Sequence, residues 1–346
     1  MSEEREEWLA LWKGWPGREV MAHPEYALLF AEGGARAVAA VGEARGRTLL
    51  LPLLLRPIAA EPWAGPDEES WDATTPYGYG GPFAWGDGAG EDALFWRAYA
   101  GWCVEARVVS TFLRLSLFPG QLATVPGDVR ERGPNVVVPL GAGAAAVWDG
   151  YDRDVRRNVR KSRSCGVRVE VDPEGHRVAE FHAVYEHTMG RRGADAWYHF
   201  PLRFFEALAR NLAGHYTFVH ALVDGRVVAS ELALVSAENV YAFLGGTLQE
   251  AFRLFPNEAV RHATVEWAVS EGKRCYVLGG GRTPGDGILR HKKLFAPGSE
   301  IPFRVGCLLH DEIAAHRLAR RRETSERAPT GSTWAPRDGF FPVYRA

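Results

Sequence analysis

The 346-residue sequence predicts an α/β (α+β) protein of two tandem domains, each a mixed, mainly antiparallel sheet flanked by helices. Three observations carry that reading. The length suits two domains at roughly 100–200 residues each. The order hairpin, glycine-rich loop, helix, strand occurs twice along the chain. The spacing repeats with it, since Gly80 and Gly245 each precede a predicted helix start by 12 residues.

The elements follow in order. An amphipathic helix over Glu7–Trp15 stops at Pro16, whose ring and missing N–H cannot continue it. RAVAAV and RTLLLPLLLRPI, from Arg36 to Ile58, read as β-runs around the turn GEARG. A Pro/Gly/Asp-rich stretch (Glu61–Asp72) leads to TTPYGYGGPF, a helix from about Asp92 to Arg107 and the strand TFLRLSLF from Thr111. NVVVPL closes the first half and the GAGAAA segment reads as a linker, which sets the domain boundary near residue 145. A helix begins near Tyr151. Two more, Val178–Met189 and Leu202–Leu212, show apolar i, i+3/i+4 spacing. YTFVHALV and VVASELALV flank Asp224-Gly225, a two-residue hairpin signal. VYAFLGGT, a helix over about Asn257–Ser270 and the strand CYVLGG then give the second domain the order α-α-α-β-β-β-α-β. A charged helix over Asp311–Arg327 and the tail WAPRDGFFPVYRA end the chain, the four tail aromatics expected to pack back onto the body.

Charge is nearly balanced, 41 Lys+Arg against 43 Asp+Glu, which excludes a surface built wholly for nucleic acid or anionic membrane. The four cysteines form no CxxC pair, against a zinc site or disulfide framework and in favour of a reduced, cytoplasmic chain. The start MSEEREEW is acidic where a signal peptide is basic, and the longest apolar run, Leu49–Leu55, is broken by Pro52, so neither an export signal nor a membrane span is expected. The balance conceals a basic helix. From Arg153 to Arg168 there are seven basic residues and one acidic, Asp154. Arg153, Arg156, Arg160 and Arg163 share one helical face while Tyr151, Val155 and Val159 form an apolar stripe. With Arg157 and Lys161, these are candidates for binding a polyanion such as a tRNA acceptor stem or the pyrophosphate of CoA or a nucleotide sugar; the plain alternative is a solvated face. Arg191-Arg192 with Tyr198 is a weaker candidate of the same kind.

Hairpin, third strand ending in small residues, helix, strand is the core order of the GNAT N-acyltransferases. RDVRRNVRKSRSCGVRV, VYAFLGGT, EWAVSEGKRCYVLGGG and HKKLF, taken together, resemble the Fem-type branch of that superfamily, the peptidoglycan aminoacyltransferases and related FemAB-like acyltransferases. The resemblance spans nearly the whole chain and implies two GNAT-like domains, 1–145 with the tail from about 312 to 346, and 146–311 carrying the active site. TPYGYGGPF sits where that family has an aromatic-rich loop. His291-Lys292-Lys293-Leu294-Phe295 matches its F-K-x-x-F segment, with Lys292 in the lysine position near the reacting groups and His291 in place of the first phenylalanine. The implied activity joins an aminoacyl or acyl group to a primary amine, the donor being aminoacyl-tRNA or acyl-CoA as cosubstrate with no tightly bound cofactor. The expected acceptor is an amine-bearing cell-envelope precursor or a small molecule. No DNA partner is expected.

Making an amide from an ester or thioester needs a neutral amine, stabilisation of the tetrahedral oxyanion and a proton for the leaving group. Lys292 follows GGGRTPGDG, a segment that lets backbone approach a ligand closely, and is the candidate for holding the oxyanion or a phosphate. Lys293 and Phe295 accompany it as substrate-binding candidates, as do Arg192 and Tyr198. In GNAT folds the strand ending at Gly245-Gly246 splays from its neighbour so that its amides hold the donor. Tyr241, Tyr77 and Tyr79 are candidates for positioning the amine or protonating the leaving group, and Glu231 for the base. Two departures stand out. The GNAT pyrophosphate loop is absent between Gly246 and Asn257, which favours aminoacyl-tRNA over acyl-CoA, and PEYALLF lacks the lysine that peptidoglycan-type members place there. A catalytically silent anion-binding module is the reading from another class.

Overall fold

The computed structural model describes residues 3–88, 92–283, 285–330, 334–336 and 338–346; Met1 and Ser2 of the acidic start, Pro284 of the glycine-rich loop and Arg337 of the tail lie outside the described residues. The chain opens with α1 (Glu3–Gly14) and the short α2 (Pro24–Leu28), then β1 (Arg36–Ala44), β2 (Arg47–Pro57), β3 (Trp71–Thr74), β4 (Phe83–Gly86), α3 (Asp92–Glu105) and β5 (Val108–Arg114). Next come β6 (Asp128–Pro139), α4 (Ala144–Gly150), α5 (Arg153–Ser164), β7 (Arg168–Asp172), α6 (Val178–Arg192) and α7 (Leu202–Asn211). The remainder is β8 (Tyr216–Val223), β9 (Arg226–Val235), β10 (Asn239–Thr247), α8 (Pro256–Ser270), β11 (Cys275–Gly279), α9 (Gly287–Lys293), β12 (Glu300–Leu309) and α10 (Glu312–Thr330).

Two compact units result, one of Met1–Trp15, Met21–Arg132 and Phe303–Ala346, the other of Pro16–Val20 and Gly133–Pro302. The switch therefore falls at 132/133 rather than near 145, and the return at 303 rather than 312. The reason is strand pairing. Asn135–Pro139 of NVVVPL lies in β6, which pairs with β11, Val137 opposite Val277, so it belongs to the second sheet, while Val305–Leu309 of β12 pairs with β5 in the first. The expected linker is also spent inside a unit, with Gly143, at φ 85°, serving as the N-cap of α4.

In the first unit the strands run in the order β1-β2-β3-β5-β12, with β4 added to β2. All pairs are antiparallel except β3 with β5. Leu49, Leu51 and Leu53 of β2 point alternately to one face, where Phe95, Trp96, Tyr99 and Cys103 of α3 cover them. The tail packs back as expected. Tyr344 is 1% exposed, buried with Ile58, Trp63, Val109 and Leu318, and its hydroxyl meets Ser110 Oγ at 2.7 Å.

The second unit orders its strands β6-β11-β10-β9-β8-β7, with β10 and β11 parallel and the other pairs antiparallel. Its sheet is covered on both faces. On one, Val265 and Ala268 of α8 and Val155 and Val159 of α5 bury Ala233, Val240, Tyr276 and Leu278; on the other, Phe181 of α6 and Phe205 of α7 pack edge-to-face, with Phe218 of β8 against Phe181. The parallel strand–helix–strand unit thus occurs once in each half, β3-α3-β5 and β10-α8-β11, as the repeated order in the sequence requires. β7, formed by RVEVD, adds a strand to the expected order.

Candidate active site

β10 and β11 pair at only three positions, Asn239–Cys275, Val240–Tyr276 and Tyr241–Val277. Beyond Tyr241, β10 continues to Thr247 with β9 alone, and a bulge at Phe243 re-aims its side chains. The strands part because β11 ends in glycine. Gly279 takes φ 77°, a region costly for a residue with a Cβ, and a Cβ on Gly281 would stand 2.5 Å from Asp286 Oδ1. Asp286 caps α9, accepting the Leu289 N–H at 2.8 Å, and this short helix turns Lys292 back over the end of β11. There the Lys292 ammonium donates to the Gly280 carbonyl at 2.7 Å, three residues past the last β10–β11 pair.

Around Lys292 the second unit gathers buried charge. Glu231 of β9 is 6% exposed. Its Oε1 accepts from Thr264 Oγ1 at 3.3 Å and from the Tyr276 hydroxyl, and its Oε2 faces Arg261 Nε at 3.9 Å. Arg261 also donates from Nη1 to His291 Nδ1 at 3.3 Å and lies 5.3 Å over the Phe295 ring. Burial, and then the Arg261 guanidinium, bring Lys292 down to about 7, with Glu231 and Asp286 pulling the other way. Burial raises Glu231 above the usual carboxylate range, against the pull of Arg261 and Lys292, and raises the Tyr276 phenol well above its ordinary value. The outcome is a lysine that exchanges its proton near neutrality at the mouth of a parted strand pair. Such a group can hold an oxyanion as a cation and release a proton to a leaving group.

Several expected site residues take other work. Tyr241 stands on the opposite face of the sheet from Glu231 and Lys292, because side chains alternate along a strand and its neighbour Val240 faces α8; its hydroxyl donates to Glu19 Oε2 at 2.8 Å. Tyr276, on the adjacent strand, occupies the place beside Glu231. Glu231 is poorly arranged as a base, since both carboxylate oxygens are turned inward onto Tyr276, Thr264 and Arg261. Phe295 is 2% exposed and belongs to the core with Tyr151 and Leu289, where it supports Arg261 and His291. Lys293 pairs with Glu300 at 2.6 Å. Gly245 and Gly246 are small for packing reasons: a Cβ on Gly246 would lie 2.6 Å from the Val184 carbonyl of α6, and one on Gly245 2.7 Å from the Ser230 carbonyl.

The basic helix forms as expected, with Asp152 as its N-cap. Arg156 is half-buried, donating to the carbonyls of Asp149 at 2.7 Å and Tyr151 at 2.6 Å. Arg157 pairs with Asp154 at 2.7 Å, Arg160 lies 5.2 Å over Trp148 and Lys161 5.0 Å over Phe255 at the start of α8. Arg153, Arg157, Arg160 and Lys161 remain exposed. Arg192 is exposed at the end of α6 and Tyr198 is half-buried, its carbonyl accepting from Tyr185 at 2.5 Å. Tyr77 and Tyr79 lie in the first unit, half-buried in an irregular loop; the Tyr77 carbonyl accepts from the Tyr26 hydroxyl at 2.6 Å, and Tyr79 packs edge-on to Phe303 at 5.7 Å. Arg261 and Tyr276 are the residues that sequence reasoning missed. A signal existed: Arg261 and Thr264, at i and i+3, interrupt the apolar positions of α8 with polar groups aimed at one spot.

Residues 150–293 match the family described as the acetyltransferase (GNAT) domain. These residues lie wholly within the second unit. Among solved structures, the chain is similar to FemX at 13% identity, with a TM-score of 0.65 over 90% of this chain and 95% of that one. It is also similar to L-PGS from Bacillus licheniformis, at 10% identity, TM-score 0.54, over 94% and 97%. A third likeness is to the C-terminal domain (DUF2156) assigned to a lysylphosphatidylglycerol synthetase from Agrobacterium fabrum, at 13% identity, TM-score 0.52, over 88% and 92%. No curated protein matches the chain in sequence. The fold is therefore similar to that of FemX. Among the described residues, no His, Cys, Asp and Glu cluster is placed to hold a metal, and no helix is long and apolar enough to cross a membrane.

Proposed function

We propose that the GNAT domain transfers an aminoacyl or acyl group to a primary amine, forming an amide, with Lys292 at the reacting centre. The observation that carries this reading is the placement of Lys292, brought to about 7, beside the end of β11 where β10 leaves it. In this reading the donor carbonyl lies between the parted strands and Lys292 supports the oxyanion, then gives its proton to the departing oxygen or sulfur. Glu231, Arg261 and Tyr276 position Lys292 and set its charge without touching substrate. The acceptor amine attacks in its neutral form, and the proton it loses as the amide forms returns to Lys292, which restores the ammonium.

Aminoacyl-tRNA is the donor that the site favours. A helix N-terminus binds phosphate through free N–H groups and a positive dipole end, yet α8 begins with Pro256, which has no N–H, and places the Glu258 carboxylate in its first turn. Asn158 holds that carboxylate at 3.1 Å and His291 faces it at 3.6 Å. A CoA pyrophosphate would meet this negative charge. The exposed cations of α5 offer the alternative anchor that a nucleic-acid donor needs, and the likeness to FemX and the lysylphosphatidylglycerol synthetases agrees with aminoacyl transfer. An amine-bearing cell-envelope precursor is the acceptor class proposed. Acyl-CoA is the second reading, favoured by the acetyltransferase family that residues 150–293 match. The test incubates the full chain with charged tRNA or acyl-CoA and candidate amines, with and without RNase. RNase-sensitive transfer is expected; RNase-insensitive release of CoA selects the second reading, and ligand binding without transfer overturns both.

A further inference from the structure

The first unit contains a cavity of about 420 Å³, in the range of ligand sites, that plays no part in the proposed chemistry. Its floor is the sheet face opposite α3, with Phe112 and Arg114 of β5 and Arg56 of β2, and the tail from Asp338 to Arg345 closes it. The walls divide by chemistry. Phe112, Phe303, Phe340 and Phe341 line it with rings, while Arg56, Arg114, Arg132 and Arg345 line it with guanidiniums.

The guanidiniums are held in place, and one of them, Arg345, keeps a nitrogen without a partner. Asp72, with no side-chain exposure, binds Arg56 Nε at 2.7 Å and also pairs with Arg345. Arg345 reaches Glu61 through Nη1, and its Nη2 is buried with no hydrogen-bond partner. Arg114 donates to Thr74 Oγ1 at 3.0 Å and to the Thr75 carbonyl at 3.1 Å, with its guanidinium 5.0 Å over Phe112. Arg132 gives one N–H to the Gly339 carbonyl of the tail. Within the cavity wall itself the four cations face one carboxylate, the exposed Asp338.

We infer that this cavity binds a small oxyanion carried on a flat apolar body, the guanidiniums taking the carboxylate or phosphate and the phenylalanines the ring. Arginine forks match both oxyanions, and rings stack on rings and on guanidiniums. Six of the lining residues belong to the tail, so occupancy also fastens the tail to the sheet. The inference stands apart from the transfer reaction and does not depend on it.

Calorimetric titration of the full chain with phenyl phosphate, benzoate and inorganic phosphate tests it. At least one aryl anion is expected to bind, and inorganic phosphate roughly tenfold more weakly because it lacks the ring; the better aryl anion tells phosphate recognition from carboxylate recognition. Arg132→Gln and Phe340→Ala, the latter at a side chain already 38% exposed, should each weaken aryl-anion binding by about fivefold or more with Tm preserved. Lys292→Met should leave it unchanged. Failure of both aryl anions to bind at millimolar concentration, parity with inorganic phosphate, or indifference to both substitutions overturns the inference.

Discussion

The two parallel strand–helix–strand units were built to one plan and finished differently. In the first, the chain leaving β3 closes the space beside β5: Thr75 N–H donates to the Phe112 carbonyl at 3.0 Å and Gly80 N–H to the Arg114 carbonyl at 2.8 Å. Thr75 Oγ1 adds a bond from the Arg114 amide at 2.9 Å. In the second, β10 runs on for six residues past its last partner in β11, and Lys292 stands at the opening. Strand separation exposes backbone that must find a partner. One unit bridges the space with its own loop, whereas in the other the two strands part beside Lys292.

Substitutions can break that contrast at either end. The largest effect is expected at Lys292. Lys292→Met should lower turnover by about 10²–10³, the usual cost of losing one preorganised oxyanion-stabilising group, with near-native circular dichroism. Unchanged turnover would remove Lys292 from the chemistry. Glu231→Gln should lower kcat by roughly tenfold and move the pH profile to lower values, because Glu231 raises the proton affinity of Lys292; a profile that stays put would make Glu231 structural only.

Charge reversal of the exposed cations, Arg153→Glu with Arg160→Glu, should raise KM for a tRNA donor and reduce the slope of log K against log salt by about 2. An unaltered salt slope would leave α5 as a solvated face. Thr75→Val in the sealed unit should cost about 1 kcal/mol, the loss of one buried hydrogen bond, and leave transfer rates alone. Thermal melts add a sign check. Lys292 has its proton affinity depressed in the folded state, so between about 7 and 10.5 the unfolded chain binds the proton that the folded chain has released. Stability gains from this residue as pH rises through that window. Lys292→Met should therefore raise Tm by a few degrees at pH 6, and the gain should shrink toward pH 10.

Much of this arrangement was legible in residue order. The hairpins, the repeated helix and the apolar stripe Tyr151, Val155, Val159 follow from periodicity, and Lys292 and Glu231 meet as neighbours in one cluster. What escaped is tertiary. Which face Tyr241 takes depends on strand phase relative to α8, and nothing local fixes it. Gly245 and Gly246 look like ligand-facing glycines until α6 is placed against them. Phe295 and Arg156 carry residue types suited to binding, yet one fills the core and the other ties down backbone carbonyls. The boundary moved because NVVVPL pairs across a long sequence separation with β11, information that no window of the chain contains.

The contrast rests most directly on the proton held by Lys292, which lysine side-chain NMR of the full chain can titrate by following the Nζ and Cε resonances assigned with Lys292→Arg. A midpoint near 7 in the wild-type protein, moving lower in Glu231→Gln, is the result this account predicts; a midpoint near the ordinary lysine value of about 10.5, unmoved by Glu231→Gln, would contradict it.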